Sequence, residues 1–189
     1  MFLLVGLGNP GNKYTNNRHN IGFKATLEIQ DRFNFSPFTK KYQGLYTSGT
    51  IDGNKVHILM PQTYMNKSGH SVAELARFFR IKPENIIVFH DELDIEPLKV
   101  KKKIGGSEGG HNGLKSITEC IGTRNYQRIR LGVGHPGHKD QVSDYVLKDF
   151  PKAEATNFED VLYCLARVMP TLLNEGQAKA SNELALLLK

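Results

Sequence analysis

The sequence predicts an α/β fold: a single domain over residues 1–189, built on a twisted, mixed and mostly parallel β-sheet flanked by α-helices. Three observations predict it. Short apolar runs alternate along the chain with amphipathic stretches of helical period. Asp52-Gly53 between two strand-like segments marks a hairpin, so at least one strand pair is antiparallel. A chain of 189 residues with no internal repeat, low-complexity run or linker suits one hydrophobic core.

Each element follows from local pattern. Leu3-Leu4-Val5 reads as a buried first strand. Ile21, Phe23, Ala25, Leu27 and Ile29 alternate like a strand, but the length of the 19–35 stretch and its Lys24, Glu28, Gln30 and Arg32 favour a helix. Tyr42 to Ile51 and Val56 to Met60 are the arms of the hairpin. Val72, Leu75, Ala76 and Phe79 share one helical face, which predicts a helix from Ser68 to Arg80. Ile86 to Phe89 is a short buried strand, Leu98 to Lys103 a lysine-rich one, and Leu114, Ile117 and Ile121 mark a short helix. In Tyr126 to Gly134, Ile129, Leu131 and Val133 point one way and Arg128 and Arg130 the other. Phe158, Val161, Leu162, Leu165, Met169 and Leu172 form a long helical stripe that Pro170 bends or ends. Ala178 to Leu188 reads as a last helix.

Composition narrows the class. At 39% hydrophobic and 23% charged the chain reads as soluble and globular. No apolar stretch approaches the ~20 residues of a membrane span. The Met-Phe-Leu-Leu-Val-Gly start lacks the basic flank and cleavage site of a signal peptide. Cys120 and Cys164, both on helical stripes, predict reduced core thiols and a cytoplasmic location. The net charge is +6 and the pI about 9.3; such a surface keeps a protein soluble and also attracts polyanions. The basic residues cluster. Lys99, Lys101 and Lys103 share a strand face with Lys102 opposite, and Lys115, Arg124, Arg128 and Arg130 lie nearby in sequence. Lysines on an edge strand also deter sheet-to-sheet aggregation. The arginines sit on a strand whose other face is apolar, and an anionic partner bearing phosphates suits them better.

Two familiar motifs fail on context. Gly6-Leu7-Gly8-Asn9-Pro10-Gly11 matches the dinucleotide-binding pattern, but a polar, unperiodic run follows where a helix should open, and Pro10 removes a backbone N–H from the loop. No acidic residue ends a second strand ~20 residues on. Gly105-Gly106-Ser107-Glu108-Gly109 matches a nucleophile elbow, yet the strand before it is lysine-rich and no well-placed acid precedes a later histidine. Ser107 belongs to a flexible glycine loop.

Four other loops follow strands or open helices, and in open α/β sheets ligands bind at such positions. They are residues 8–20, 61–66, 90–94 and 109–113. His19, in polar surroundings, suits a general base. Asp91, at the end of a buried strand, could hold its tautomer. Asn9, Asn20, Asn66 and Asn112 are neutral groups that both donate and accept, which suits peptide main chain or a developing oxyanion. Plainer readings stand beside these. Asn66 could cap the helix near Ser68, and Asn9 could form a turn before Pro10. His111 could open the helix after it. His90, Asp91, Glu92 and Asp94 could be loop residues or a metal site.

"GLGNPGNKYTNNRHNIGF", "PQTYMNKSG", "VFHDELD", "GGSEGGHNGLKSI" and "RIRLGVGHPG" resemble, in order and spacing, the bacterial peptidyl-tRNA hydrolase family over Phe2 to about Phe150. Asn17 departs from the threonine usual in that family. The resemblance implies hydrolysis of the ester joining a peptide to the 3′ ribose of tRNA, which recycles tRNA from aborted translation. It implies that His19 activates water, Asp91 orients it and Asn9 positions the scissile carbonyl. It places Asn66 and Asn112 on the peptide main chain, with Asn20, Tyr14, Met65 and His111 also in the substrate cleft. Lys103 and Arg130 would grip the tRNA 5′-phosphate, and residues 140–150 would form a mobile gate. The substrate would be peptidyl-tRNA, met through the tRNA acceptor region and the nascent peptide. No metal, cofactor, membrane or required protein partner is implied, and the family is generally monomeric. The residues alone leave two rivals: a non-catalytic RNA-binding module, and a metal-dependent phosphoesterase using His90, Asp91 and Asp94.

Overall fold

The computed structural model describes residues 1–189. The chain runs β1 (Phe2–Gly6), α1 (Ile21–Arg32), β2 (Thr39–Lys41), β3 (Gly44–Ile51), β4 (Asn54–Pro61), α2 (Ser68–Phe79), β5 (Ile86–Glu92), β6 (Val100–Ile104), α3 (Asn112–Ile121) and β7 (Gln127–Gly132). It ends in α4 (Val142–Val146), α5 (Lys152–Arg167), α6 (Met169–Glu175) and α7 (Gln177–Leu187). One seven-stranded sheet has the order β2-β3-β4-β1-β5-β7-β6. β1 pairs in parallel with β4 and β5, and β5 with β7. The edges are antiparallel, β2 and β3 on one side and β6 on the other.

Period-two alternation splits the sheet's side chains between two cores. Leu4, Ile58, Phe89, Ile129 and Leu131 pack beneath α1, α5, α6 and α7. Leu3, Val5, Leu59, Val88 and Tyr126 pack beneath α2 and α3. Leu3, Leu4 and Val5 are 0% exposed, and each such side chain contributes about 1.5–3 kcal/mol by leaving water. This double burial is why β1 and β5 read as unbroken apolar runs.

Two glycines let helices approach the sheet and each other. A Cβ at Gly22 would lie 2.3 Å from the Phe89 carbonyl oxygen, and one at Gly69 would lie 2.0 Å from that of Ser116. Gly69 N–H also donates to Ser116 Oγ at 2.8 Å, which fixes α2 against α3. The hairpin turns on Asp52 and Gly53, whose φ values of 47° and 82° suit a two-residue turn.

Three details go beyond the sequence expectation. The three-residue strand β2 has no apolar pattern to announce it. The long C-terminal stripe is two helices: α5 ends at Arg167, and Pro170 occupies the first turn of α6, where a missing N–H is harmless. The lysine-rich β6 lies at the sheet edge, and only one face of it is open. Lys102 Nζ donates to Ser181 Oγ of α7 at 3.1 Å, and burial lowers its pKa to about 8.

Candidate active site

The loops after β1, β4 and β5 and the start of α3 meet at the carboxyl end of the parallel strands. His19 lies in a 3-10 turn, Arg18–Asn20, that leads into α1. Its Nδ1 is 2.8 Å from Asp91 Oδ2. Asp91 Oδ1 is in turn 2.8 Å from His111 Nε2. The tautomers follow from the partners. His111 caps α3, its Nδ1 accepting from the N–H groups of Gly113 at 3.1 Å and Leu114 at 3.4 Å. Its proton is therefore on Nε2 and is donated to Asp91. His19 likewise donates Nδ1–H to the other carboxylate oxygen, which leaves the Nε2 lone pair of His19 free.

Electrostatics agree with this arrangement. Burial lowers the pKa of His19, but the charge of Asp91 and the hydrogen bond to it raise it more, so the net shift is upward. Burial raises that of Asp91, but His19 and His111 outweigh it and hold the carboxyl well below its usual range. The carboxylate is 2% exposed at its side chain and His19 14%, so the ring alone reaches the cleft.

Asn9 is held on three sides. Asn9 Oδ1 accepts from Met65 N–H at 2.9 Å. Asn9 N–H donates to Asn20 Oδ1 at 2.8 Å, and Asn20 Nδ2 donates to the Asn9 carbonyl at 3.0 Å. The oxygen end of Asn9 is thus committed, and its Nδ2 is left as an unspent donor.

These bonds give two of the sequence-predicted residues a bracing position. Asn20 is 2% exposed with both ends of its amide bound to the backbone of Asn9. It braces Asn9. Both ring nitrogens of His111 are likewise committed: this residue braces Asp91 and opens α3.

The remaining predicted residues vary in setting. Asn66 and Asn112 are exposed, at the turn before α2 and the first position of α3. Asn66 caps nothing: α2 has no side-chain cap bond. Met65 is 5% exposed, and its sulfur packs near Gly113, where an added Cβ would lie 2.7 Å away. Tyr14 is half-buried, with Lys13 Nζ 4.9 Å from its ring centroid.

The metal alternative does not assemble as expected. His90 is 1% exposed and turns Nδ1 onto the carbonyl of Asp91 at 2.8 Å; Asp94 is exposed. The donor atoms of His19, Asp91 and His111 do lie within 4.8 Å of one another. In the hydrogen-bonded arrangement the two facing ring nitrogens donate to Asp91.

On the basic strands, Lys103 and Arg130 are diagonal neighbours on one face, since Lys103 pairs with Arg128 and Lys101 with Arg130. Neither joins an ion pair. Arg128 is different: it is 1% exposed and donates to the carbonyls of Ser107 at 2.7 Å and Gly106 at 3.1 Å, so it holds the glycine loop.

One set of contacts had no signal in the sequence. Asn17 Nδ2 donates to Asp149 Oδ1 at 2.7 Å. Arg18 Nη1 donates to the carbonyl of Tyr145 at 3.2 Å, and the guanidinium lies 4.1 Å from the Tyr145 ring centroid. These side chains dock α4 and the segment after it against the turn that carries His19.

A carboxylate-braced histidine and an oriented asparagine at the carboxyl end of a mostly parallel sheet are the arrangement of an α/β enzyme. The peptidyl-tRNA hydrolase family matches residues 3–187. The chain belongs to that family and is an enzyme of that type. It is 51% identical over 186 residues to a peptidyl-tRNA hydrolase of Dinoroseobacter shibae, covering 98% of this chain and 79% of the relative. It is 49% identical over 189 residues to that of Parvibaculum lavamentivorans, covering 100% and 92%. The crystal structure of peptidyl-tRNA hydrolase from Acinetobacter baumannii superposes with a TM-score of 0.91 at 40% identity, covering 97% of this chain and 94% of that one. No helix is long and apolar enough to cross a membrane.

Proposed function

We propose that the protein cleaves the ester between peptide and tRNA with His19 as general base. His19 Nε2 takes a proton from water as the oxygen attacks the ester carbonyl. Asn9 Nδ2 donates to the oxyanion that develops. Collapse of the tetrahedral intermediate expels the 3′-hydroxyl of the ribose, which takes its proton back from the imidazolium. Asp91 holds the ring in the required tautomer and stabilises its charged form, while His111 and Asn20 keep Asp91 and Asn9 in place. A positioned base is worth about 10²–10⁴ in rate and one oxyanion donor about 10²–10³.

Asn66 and Asn112, exposed and free of intramolecular bonds, meet the peptide main chain without regard to side-chain identity, and Tyr14 and Met65 shape the cleft around them. Lys103 and Arg130 take the tRNA phosphate. No metal, cofactor or protein partner enters this scheme, and the protein acts as a cytoplasmic monomer.

The observation that carries the reading is the His19 Nδ1 to Asp91 Oδ2 bond of 2.8 Å, with Nε2 left over. The test is release of free tRNA from an N-blocked aminoacyl-tRNA, with and without chelator. Turnover survives the chelator, and His19→Ala abolishes turnover while tRNA binding remains. Loss of binding in His19→Ala would reassign the residue to structure. Loss of turnover with chelator would restore the metal reading.

A further inference from the structure

The strand order sets two basic surfaces on opposite sides of the dyad. Lys103 and Arg130 lie on β6 and β7, at one edge of the sheet. His19 and Asp91 sit by β1 and β5, in the middle. At the other edge, β2 carries Lys40 and Lys41, both exposed. Neither lysine joins any ion pair of the protein.

Between that edge and the site lies a groove of about 580 Å³ lined by Pro10, Lys40, Lys41, Gln43, Gln62 and Thr63 among others. Two chain connections tie its wall to the site. Pro10 follows Asn9 directly, and Thr63 is two residues before Met65, whose N–H orients Asn9. Leu45 is the one hydrophobic side chain of its wall, the rest being polar, cationic, glycine or proline. The hydroxyl of Thr63 is buried and has no hydrogen-bond partner. Lysines on an edge strand also deter pairing with other chains; a polar groove beside them, walled by the residue after Asn9, points to a ligand.

We infer that this groove takes the upstream part of the nascent peptide and that Lys40 and Lys41 make the enzyme favour acidic residues there. The role presupposes that the ester is cleaved at His19. The ester joins two parts of one substrate, so a tRNA held at the β6–β7 edge leaves the peptide to run the other way, toward β4, β3 and β2. Strands are about 4.8 Å apart, so β1 to β2 spans roughly 14 Å. An extended peptide rises about 3.3 Å per residue, so roughly four residues cover that distance. The lysines therefore meet the fourth and fifth residues counted from the ester.

The test compares three N-blocked substrates on one tRNA: a single aminoacyl residue, a five-residue peptide with aspartates at positions four and five, and the same peptide with lysines there. The wild-type enzyme is expected to show a KM about three- to ten-fold lower for the acidic peptide than for the basic one, the size of two exposed charge pairs. The double variant K40E/K41E reverses that order and leaves the single-residue substrate unchanged. Equal KM values for the two peptides in both enzymes would overturn the inference. A KM raised for all three substrates in K40E/K41E would also overturn it and assign the lysines to tRNA. If the single-residue substrate is not cleaved by the wild type, the failure lies with the catalytic reading and not with the groove.

Discussion

Replacing Asp91 with Asn tests the relay without changing its shape. Asp91 accepts from His19 at one oxygen and from His111 at the other, both at 2.8 Å. Asn has only one acceptor. His111 cannot easily reverse its tautomer, because Nδ1 already accepts from the N–H groups of Gly113 and Leu114. Each such bond contributes about 1 kcal/mol. The Asn oxygen is therefore expected to face His111 and its NH₂ to face His19. That forces His19 Nδ1 to accept and moves the proton to Nε2, which removes the base. The expected loss in kcat is about 10³–10⁴, the range seen when a triad carboxylate is made an amide, with KM little changed. The residual activity carries a second mark. Asp91 is the cause that raises the pKa of His19, so the acid limb of kcat/KM moves to lower pH in the variant. Single-turnover hydrolysis of an N-blocked aminoacyl-tRNA across pH reads both effects. A variant within ten-fold of wild type, or one with an unmoved acid limb, would refute the tautomer argument.

Other expectations follow from the same contacts. Lys103→Ala with Arg130→Ala raises KM for the tRNA substrate and reduces its salt dependence, whereas Arg128→Ala lowers stability by about 3 kcal/mol because it frees the glycine loop; titrations at several salt concentrations and thermal melts separate the two. Asn17→Ala removes the bond to Asp149 and is expected to speed amide hydrogen exchange across residues 142–150 while leaving the sheet protected; unchanged exchange there would show the segment is held by other contacts. The melting temperature falls as pH drops from 6.5 toward 3, because burial above all, with His111 and Arg128 adding to it, lowers the pKa of His90 to about 3. Its ring stays neutral in the fold but takes up a proton in the unfolded chain, which gives a slope of up to about 1.4 kcal/mol per pH unit. His90→Asn flattens that dependence; equal slopes in the two proteins would contradict it.

The parts of the site legible in the sequence are those with a local cause. Asp91 ends an apolar run, which announces a buried strand and a residue at its carboxyl end. His19 and Asn9 sit in loops too polar to be core. The hairpin was written in Asp52-Gly53. What stayed hidden depends on contacts between distant positions. Asn20 looks like Asn9 in sequence, and only the fold reveals that one amide serves to hold the other. Arg128 and Arg130 share a strand face, yet the glycine loop folds over the first alone. The docking of Asn17 and Arg18 onto residues 145–149 spans more than half the chain, and no local pattern encodes it. β2 is too short to show a period.

The proposed hydrolysis requires a His19 ring that carries its proton on Nδ1 and leaves Nε2 free to accept one. Nitrogen-15 NMR of the histidine rings, followed across pH and set beside the pH dependence of kcat/KM, tests this most directly. The expected result is an Nδ1–H tautomer for His19 above its titration, with a pKa above the ordinary histidine value that coincides with the kinetic acid limb. An Nε2–H tautomer, or a ring titration that does not coincide with the kinetic limb, would contradict the mechanism.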